Sequence, residues 1–174
     1  AMAGDFATLT NQGKIEVTGN KGIGIFGAGG SKVLNDNGAS IKIGQEGVAL
    51  FGTNKLGAST LGDKKISLEN KGNITAVDGK KKTFGMYAHN DTSIVGIADS
   101  KITNAGTIDF SSAEESIGID VKNSTVKNTG SLKMGKKGVA LNADGSDITS
   151  SGDITLSGNA IAFNLKTLTG RTLN

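Results

Sequence analysis

The sequence predicts an all-β protein: a three-sided parallel β-helix (a β-solenoid) of about six to seven coils. Three observations carry that prediction. Six glycines share one local setting, an alternating apolar pair follows each of them, and a third apolar segment closes every unit. Nothing in the chain follows the roughly 3.6-residue helical period. The 27 glycines would each cost a helix interior about 1 kcal/mol.

The first segment of each unit runs up to Gly13, Gly38, Gly72, Gly106, Gly130 or Gly152. Four residues earlier stands an apolar residue: Leu9, Leu34, Leu68, Ile102, Val126 or Ile148. Two residues earlier stands a small polar one: Asn11, Asp36, Asn70, Asn104, Asn128 or Ser150. This segment is read as a strand whose apolar residue points inward and whose Asn stacks at a corner, hydrogen-bonding along the axis. The glycine is expected to supply a positive-φ corner.

The second segment carries the pairs Ile15/Val17, Ile74/Ala76, Ile108/Phe110, Leu132/Met134 and Ile154/Leu156. In the second copy the pair is Ile41/Ile43, displaced by one residue, which suggests a bulge or a longer turn. The third segment reads Ile23-Gly24-Ile25, Val48-Ala49-Leu50, Phe84-Gly85-Met86, Ile117-Gly118-Ile119, Val139-Ala140-Leu141 and Ile161-Ala162-Phe163. Its central Gly or Ala either faces outward or fills a tight place. Period-2 segments separated by turn residues are strands. The glycine spacings of 25, 34, 34, 24 and 22 residues fit a basic coil of 22–25 with two enlarged ones. A single coil cannot bury its inward side chains, but stacked coils form one narrow core.

Residues 1–174 read as a single β-helix segment, with 1–8 an engineered junction or an incomplete first coil. Ala1-Met2-Ala3 looks like such a junction, so the chain is expected to be a piece of a longer solenoid. There is no proline or cysteine, which excludes disulfides and thiolate metal sites. The net charge of +3 comes from 18 scattered lysines and a single arginine, Arg171, against 16 acids. Phosphate and base reading favours clustered Arg, so nucleic acid is not an expected partner. No apolar run reaches the ~20 residues of a membrane helix, and no signal peptide opens the chain.

The recurring N-x-G-x-I-x-V/L followed by G-V/I-G/A-I/L-F/Y resembles the passengers of bacterial type V autotransporters. In style it is nearest to the very large fusobacterial outer-membrane adhesins. The copies that carry the resemblance run from Asn11-Gln12-Gly13 through Phe26, Asp36-Asn37-Gly38 through Phe51, and Asn70-Lys71-Gly72 through Tyr87. Later copies depart from it, ending in Asp120, Asn142 and Asn164 where the earlier ones have an aromatic. The resemblance implies a right-handed β-helix displayed outside the cell by a C-terminal outer-membrane barrel not contained in this chain. It further implies an adhesin scaffold meeting a host-cell or bacterial surface protein or glycan, although a few such passengers carry enzymatic domains; no enzymatic activity and no cofactor are expected of this chain.

Gly22-Ile23-Gly24-Ile25-Phe26-Gly27 matches a dinucleotide fingerprint, but no helix pattern follows it, so it reads as a solenoid strand. A sole histidine, His89, cannot build a His-rich metal site. Acids at Asp109, Glu114, Glu115 and Asp120, and at Asp144, Asp147 and Asp153, raise a polysaccharide-active enzyme as an alternative, although they fall where turns favour Asp. Loops carry function on regular scaffolds. The chain leaves its repeat at Thr53–Lys64, Asp78–Thr83 and His89–Lys101, and the candidate ligand-binding residues are Lys80, Lys81, Lys82, Tyr87, His89 and Asp91. A spacer without ligand is the remaining alternative. End-to-end self-association is expected from strand edges left open at the ends.

Overall fold

The computed structural model describes residues 1–54, 65–90, 100–166 and 172–174, and its strands pair in three parallel sheets. Sheet A holds Met2–Asp5, Ile23–Ala28, Val48–Thr53, Phe84–His89, Ile117–Lys122, Val139–Asp144 and Ile161–Lys166. Sheet B holds Thr8–Asn11, Lys32–Asn35, Ser67–Asn70, Ser100–Asn104, Ser124–Asn128 and Asp147–Ser150. Sheet C holds Lys14–Val17, Ser40–Ile43, Asn73–Ala76, Thr107–Phe110, Ser131–Met134 and Ile154–Leu156. The chain visits A, B and C in turn six times and ends its last full strand in A, which is the predicted three-sided β-helix. Thr172–Asn174 then begin another coil against sheet B, where the Ile148 N–H donates to the Thr172 carbonyl at 2.8 Å.

Equivalent side chains stack in columns through the core. Ile15, Ile41, Ile74, Ile108, Leu132 and Ile154 form one in sheet C, beside Val17, Ile43 and, in the middle coils, Phe110 and Met134. Ile25, Leu50, Met86, Ile119 and Leu141 form another in sheet A, all fully buried. Burying each such side chain contributes roughly 1.5–3 kcal/mol. Leu68, Ile102 and Val126 face inward as expected, while Leu9, in the first coil, is only partly covered.

At the B-to-C corner the amide column is continuous. Asn11, Asn35, Asn70 and Asn104 each donate from Nδ2 to the Oδ1 of the next Asn at 2.8 Å. Asn128 closes the run on Ser150 Oγ at 3.1 Å. All five Asn side chains are buried.

This ladder corrects the reading of the second copy. Asn35, not Asp36, occupies the stack, and Val33, not Leu34, lies opposite Leu9 and Leu68 in the core. Residue Ala39 then stands between Gly13 and Gly72, so the corner carries two extra residues. They form a turn in which the Ala39 N–H donates to the Asp36 carbonyl at 3.1 Å, with Gly38 at φ +79°.

The role given to the glycines is corrected too. Gly72, Gly106, Gly130 and Gly152 do not lie in the left-handed region. They are required because a Cβ at Gly106, Gly130 or Gly152 would run into the carbonyl of the glycine one coil earlier, and one at Gly72 into that of Ala39. Positive φ appears instead at the C-to-A corner, on Lys21, Glu46, Lys82, Glu115, Lys137 and Asn159. That geometry turns the N–H along the axis: Glu46 donates to the Lys81 carbonyl, Lys82 to Glu114 and Glu115 to Lys136, at 2.9–3.1 Å. A left-handed L-residue costs roughly 1–2 kcal/mol, and a hydrogen bond worth about 0.5–1.5 kcal/mol offsets much of it. From coil to coil the corner residues alternate in sign, Lys21, Glu46, Lys82, Glu115, Lys137. Lys21 lies 3.7 Å from Glu46, and just before the corner residues Lys81 and Lys136 flank Glu114 at 2.9 and 3.7 Å.

Two predictions follow from these columns. Gly106→Ala should cost about 1–3 kcal/mol by forcing a methyl into a neighbouring coil. Gly13→Ala, with nothing within 4 Å of its added Cβ, should stay within about 0.5 kcal/mol in urea denaturation. Equal losses at both would refute the close-approach explanation.

The second prediction concerns the ends of the stack, where Phe6 is 54% exposed at one and Ile161 51% and Leu173 50% at the other. Open strand edges with apolar side chains invite another copy. Sedimentation velocity should show mass rising with concentration, and a constant monomer mass at high concentration would count against it.

Candidate functional site

The six-residue strands of sheet A hold the best candidate. In Val48–Thr53, Phe84–His89 and Val139–Asp144 the second, third and fifth residues are buried and the first, fourth and sixth face out, and the other strands follow the same order with local departures. The second residue drops out of the ladder, since Phe84 pairs with Ile117 and Met86 with Ile119. It fills a tight place: a Cβ at Gly24 would lie 2.7 Å from the Ala49 carbonyl oxygen and one at Gly85 2.5 Å from that of Gly118, so these positions take glycine, while other coils carry Ala49 and Ala140 there. The first apolar residue of each triplet, by contrast, lies on the outer surface and is not core. Ile23, Val48, Phe84, Ile117, Val139 and Ile161 thus form an outer column, half-buried except for the more exposed Ile161.

A second outer column runs beside it through the fourth residues. Phe26, Phe51 and Tyr87 meet edge to face, with ring centroids 5.2 and 5.1 Å apart. Phe84 meets Tyr87 in the same way at 5.8 Å. Such pairs are worth about 0.5–1.5 kcal/mol beyond burial. The column then changes chemistry. Asp120 Oδ1 accepts from Asn142 Nδ2 at 2.6 Å, and Asn142 Oδ1 accepts from Asn164 Nδ2 at 2.7 Å.

Tyr87, His89 and Asp120 form the junction. The His89 ring stacks on Tyr87 with centroids 4.3 Å apart, and its Nε2 lies 3.2 Å from Asp120 Oδ1. Burial pushes the Tyr87 phenol above its ordinary range, and the negative charge of Asp120 adds to that. Asp120 is only 6% exposed, so this carboxylate is a bonded part of the face and not a solvated turn acid.

The predicted site residues separate on the structure. Tyr87 and His89 are brought together, with Asp120 as a third member that came from the list of acids. Lys80, Lys81 and Lys82 precede the same strand, at the C-to-A corner. Lys81 pairs with Glu114 and bridges to it as a strand would, so this insertion stacks on the next coil. Asp91 lies outside the described residues, as do Arg171 and residues 55–64 and 91–99 of the other two insertions. In the sequence Phe26, Phe51, Asn142 and Asn164 read as the ends of repeat copies, not as a column. Their common place in each copy was the available signal.

Among the described residues no three acids gather into one cluster. A shallow groove of about 380 Å³ on sheet C is lined by Lys42, Thr75, Asp78, Asp109, Ser111 and Ser112. Burial would raise the Asp109 carboxyl, but hydrogen bonds from the Ser111 hydroxyl and N–H, at 2.6 and 3.0 Å, and the Lys133 ammonium outweigh it. Asp109 is therefore held below the ordinary range and ionised, unsuited to donating a proton. Among the described residues no three His, Asp or Glu side chains converge as a metal site would need, and no helix is long and apolar enough to cross a membrane. Comparison with known proteins returned no matching family model, no matching curated protein and no matching solved structure.

Asp120→Ala should destabilise the fold by about 1–3 kcal/mol, because it leaves the Asn142 amide and His89 without their acceptor. Replacing Lys80 and Lys82 with Ser should change stability by less than about 0.5 kcal/mol. Thermal melts of both variants check this, and a neutral Asp120→Ala would show that the junction is not a bonded unit.

Proposed function

We propose that this chain is a segment of a secreted, surface-displayed solenoid of the autotransporter passenger kind, and that it acts in attachment. In this reading the coils hold a binding face away from the cell, and no chemistry is performed on what is bound. The observation that carries it is the outer face of sheet A. Its first and fourth columns bear apolar, aromatic and amide side chains with one charged residue, Asp120, and its charges otherwise sit in the sixth column, on Asp5, Lys122, Asp144 and Lys166. The outer faces of sheets B and C bear Lys32, Glu69, Lys101 and Lys127, and Lys14, Glu16, Lys42, Asp109 and Lys133. A solvated spacer has no use for such a difference between faces, whereas a binding protein does. The absence of cysteine and proline accords with export as an unfolded chain. The partner is a protein or glycan on a host-cell or bacterial surface.

The test is direct attachment. Microspheres coated with the chain should adhere to cultured epithelial cells or to other bacteria well above albumin-coated ones. Adhesion no better than albumin on every surface tried would leave the spacer reading in its place.

A further inference from the structure

Resting on that attachment reading, we infer that the outer strip of sheet A formed by its first and fourth columns is a track for a neutral linear glycan lying along the solenoid axis. The strip offers two kinds of group in line. Phe26, Phe51 and Tyr87 present partly exposed rings, and aromatic rings pack against the C–H faces of sugars. Asp120, Asn142 and Asn164 continue the same column with oxygens and amides that bond hydroxyls. Equivalent groups recur every ~4.8 Å from strand to strand. A polymer running along the axis therefore meets the same column at each step, whereas one lying across it meets only the groups of one strand.

Charge and area select this occupant. An acidic polymer would gain little here, because the strip's one charge is the carboxylate of Asp120 and the sixth column beside it alternates Lys122, Asp144 and Lys166, with Lys122 3.9 Å from Asp144. A second copy packing face to face is disfavoured by size. Seven strands and four residues make a strip of about 29 by 13 Å, under the ~800 Å² per partner that a stable protein interface uses. A glycan is narrow enough to be served by it.

Affinity electrophoresis through gels containing dextran, laminarin or galactomannan, with hyaluronan as the charged comparison, tests the inference. At least one neutral polymer should retard the chain equally at low and high salt. Phe51→Leu and Asn142→Ala should each weaken retardation about tenfold, while Lys127→Ala on sheet B leaves it unchanged. Phe51→Leu keeps an apolar side chain in the column, and its melting temperature should stay close to the parent's. Retardation by hyaluronan alone, by no polymer, or equally in the Phe51→Leu chain overturns the track. So does a dimer in sedimentation that Phe51→Leu dissociates, which would assign the face to a second copy. The two levels separate on the microspheres. If Phe51→Leu beads adhere undiminished, the track fails and attachment stands. If parent beads fail to adhere while neutral polymers still retard the chain, attachment fails and the track stands.

Discussion

The structure depends on axial registration, and the buried Asn column is where registration is most strictly enforced. Each amide in it must find its neighbour's oxygen, because a buried donor or acceptor left alone costs about 1–3 kcal/mol. A coil displaced by a single residue would break the amide chain and also turn every inward side chain outward. The glycines beside the column impose the same condition by contact, since each coil's backbone rests on the carbonyl of the one before. Apolar burial supplies most of the stabilisation but tolerates sliding among similar side chains. The amides do not. Order along the axis therefore comes from a polar interaction inside an apolar core.

Registration also makes the three faces long, uniform surfaces. Once coils stack without slippage, any residue type repeated at one position becomes a line, and the lines differ by face. Sheets B and C turn charged and hydroxylic lines to water. Sheet A turns out an apolar line and an aromatic line that becomes an amide line at Tyr87, His89 and Asp120. The bend at the second residue of its strands makes this possible. Two successive side chains enter the core there, leaving the fourth position free to carry a large ring outside.

Much of this was legible because the repeat is written in residue types. The Asn column, the inward Ile and Leu and the three sheets all follow from spacing. The second copy misled because Asp36 and Gly38 satisfy the same rule as Asn11 and Gly13, two positions apart. The inserted turn happened to preserve the motif while moving the true stack to Asn35. The left-handed corners were illegible for a different reason. Lys21, Glu46 and Lys82 adopt φ near +55° for the sake of a carbonyl one coil away, and nothing local announces that. The His89–Asp120 contact joins residues 31 apart in sequence, so it could be seen only once the coils were stacked.

The alternating corner charges guard against a particular error of assembly. Repeats so alike could in principle skip a coil, laying one on its second neighbour with every apolar column still filled and the amide chain still closed. Sign alternation distinguishes that arrangement from the correct one. Skipping a coil would set Lys21 over Lys82 or Glu46 over Glu115, replacing attraction by repulsion at the corner. Of these neighbours only Lys21 and Glu46 come within ion-pair distance, and an exposed pair is worth a fraction of a kcal/mol to about 1, but the difference falls on a junction whose hydrophobic and amide interactions are otherwise indifferent. The corner thus carries a parity mark, its sign separating odd coils from even ones along the stack.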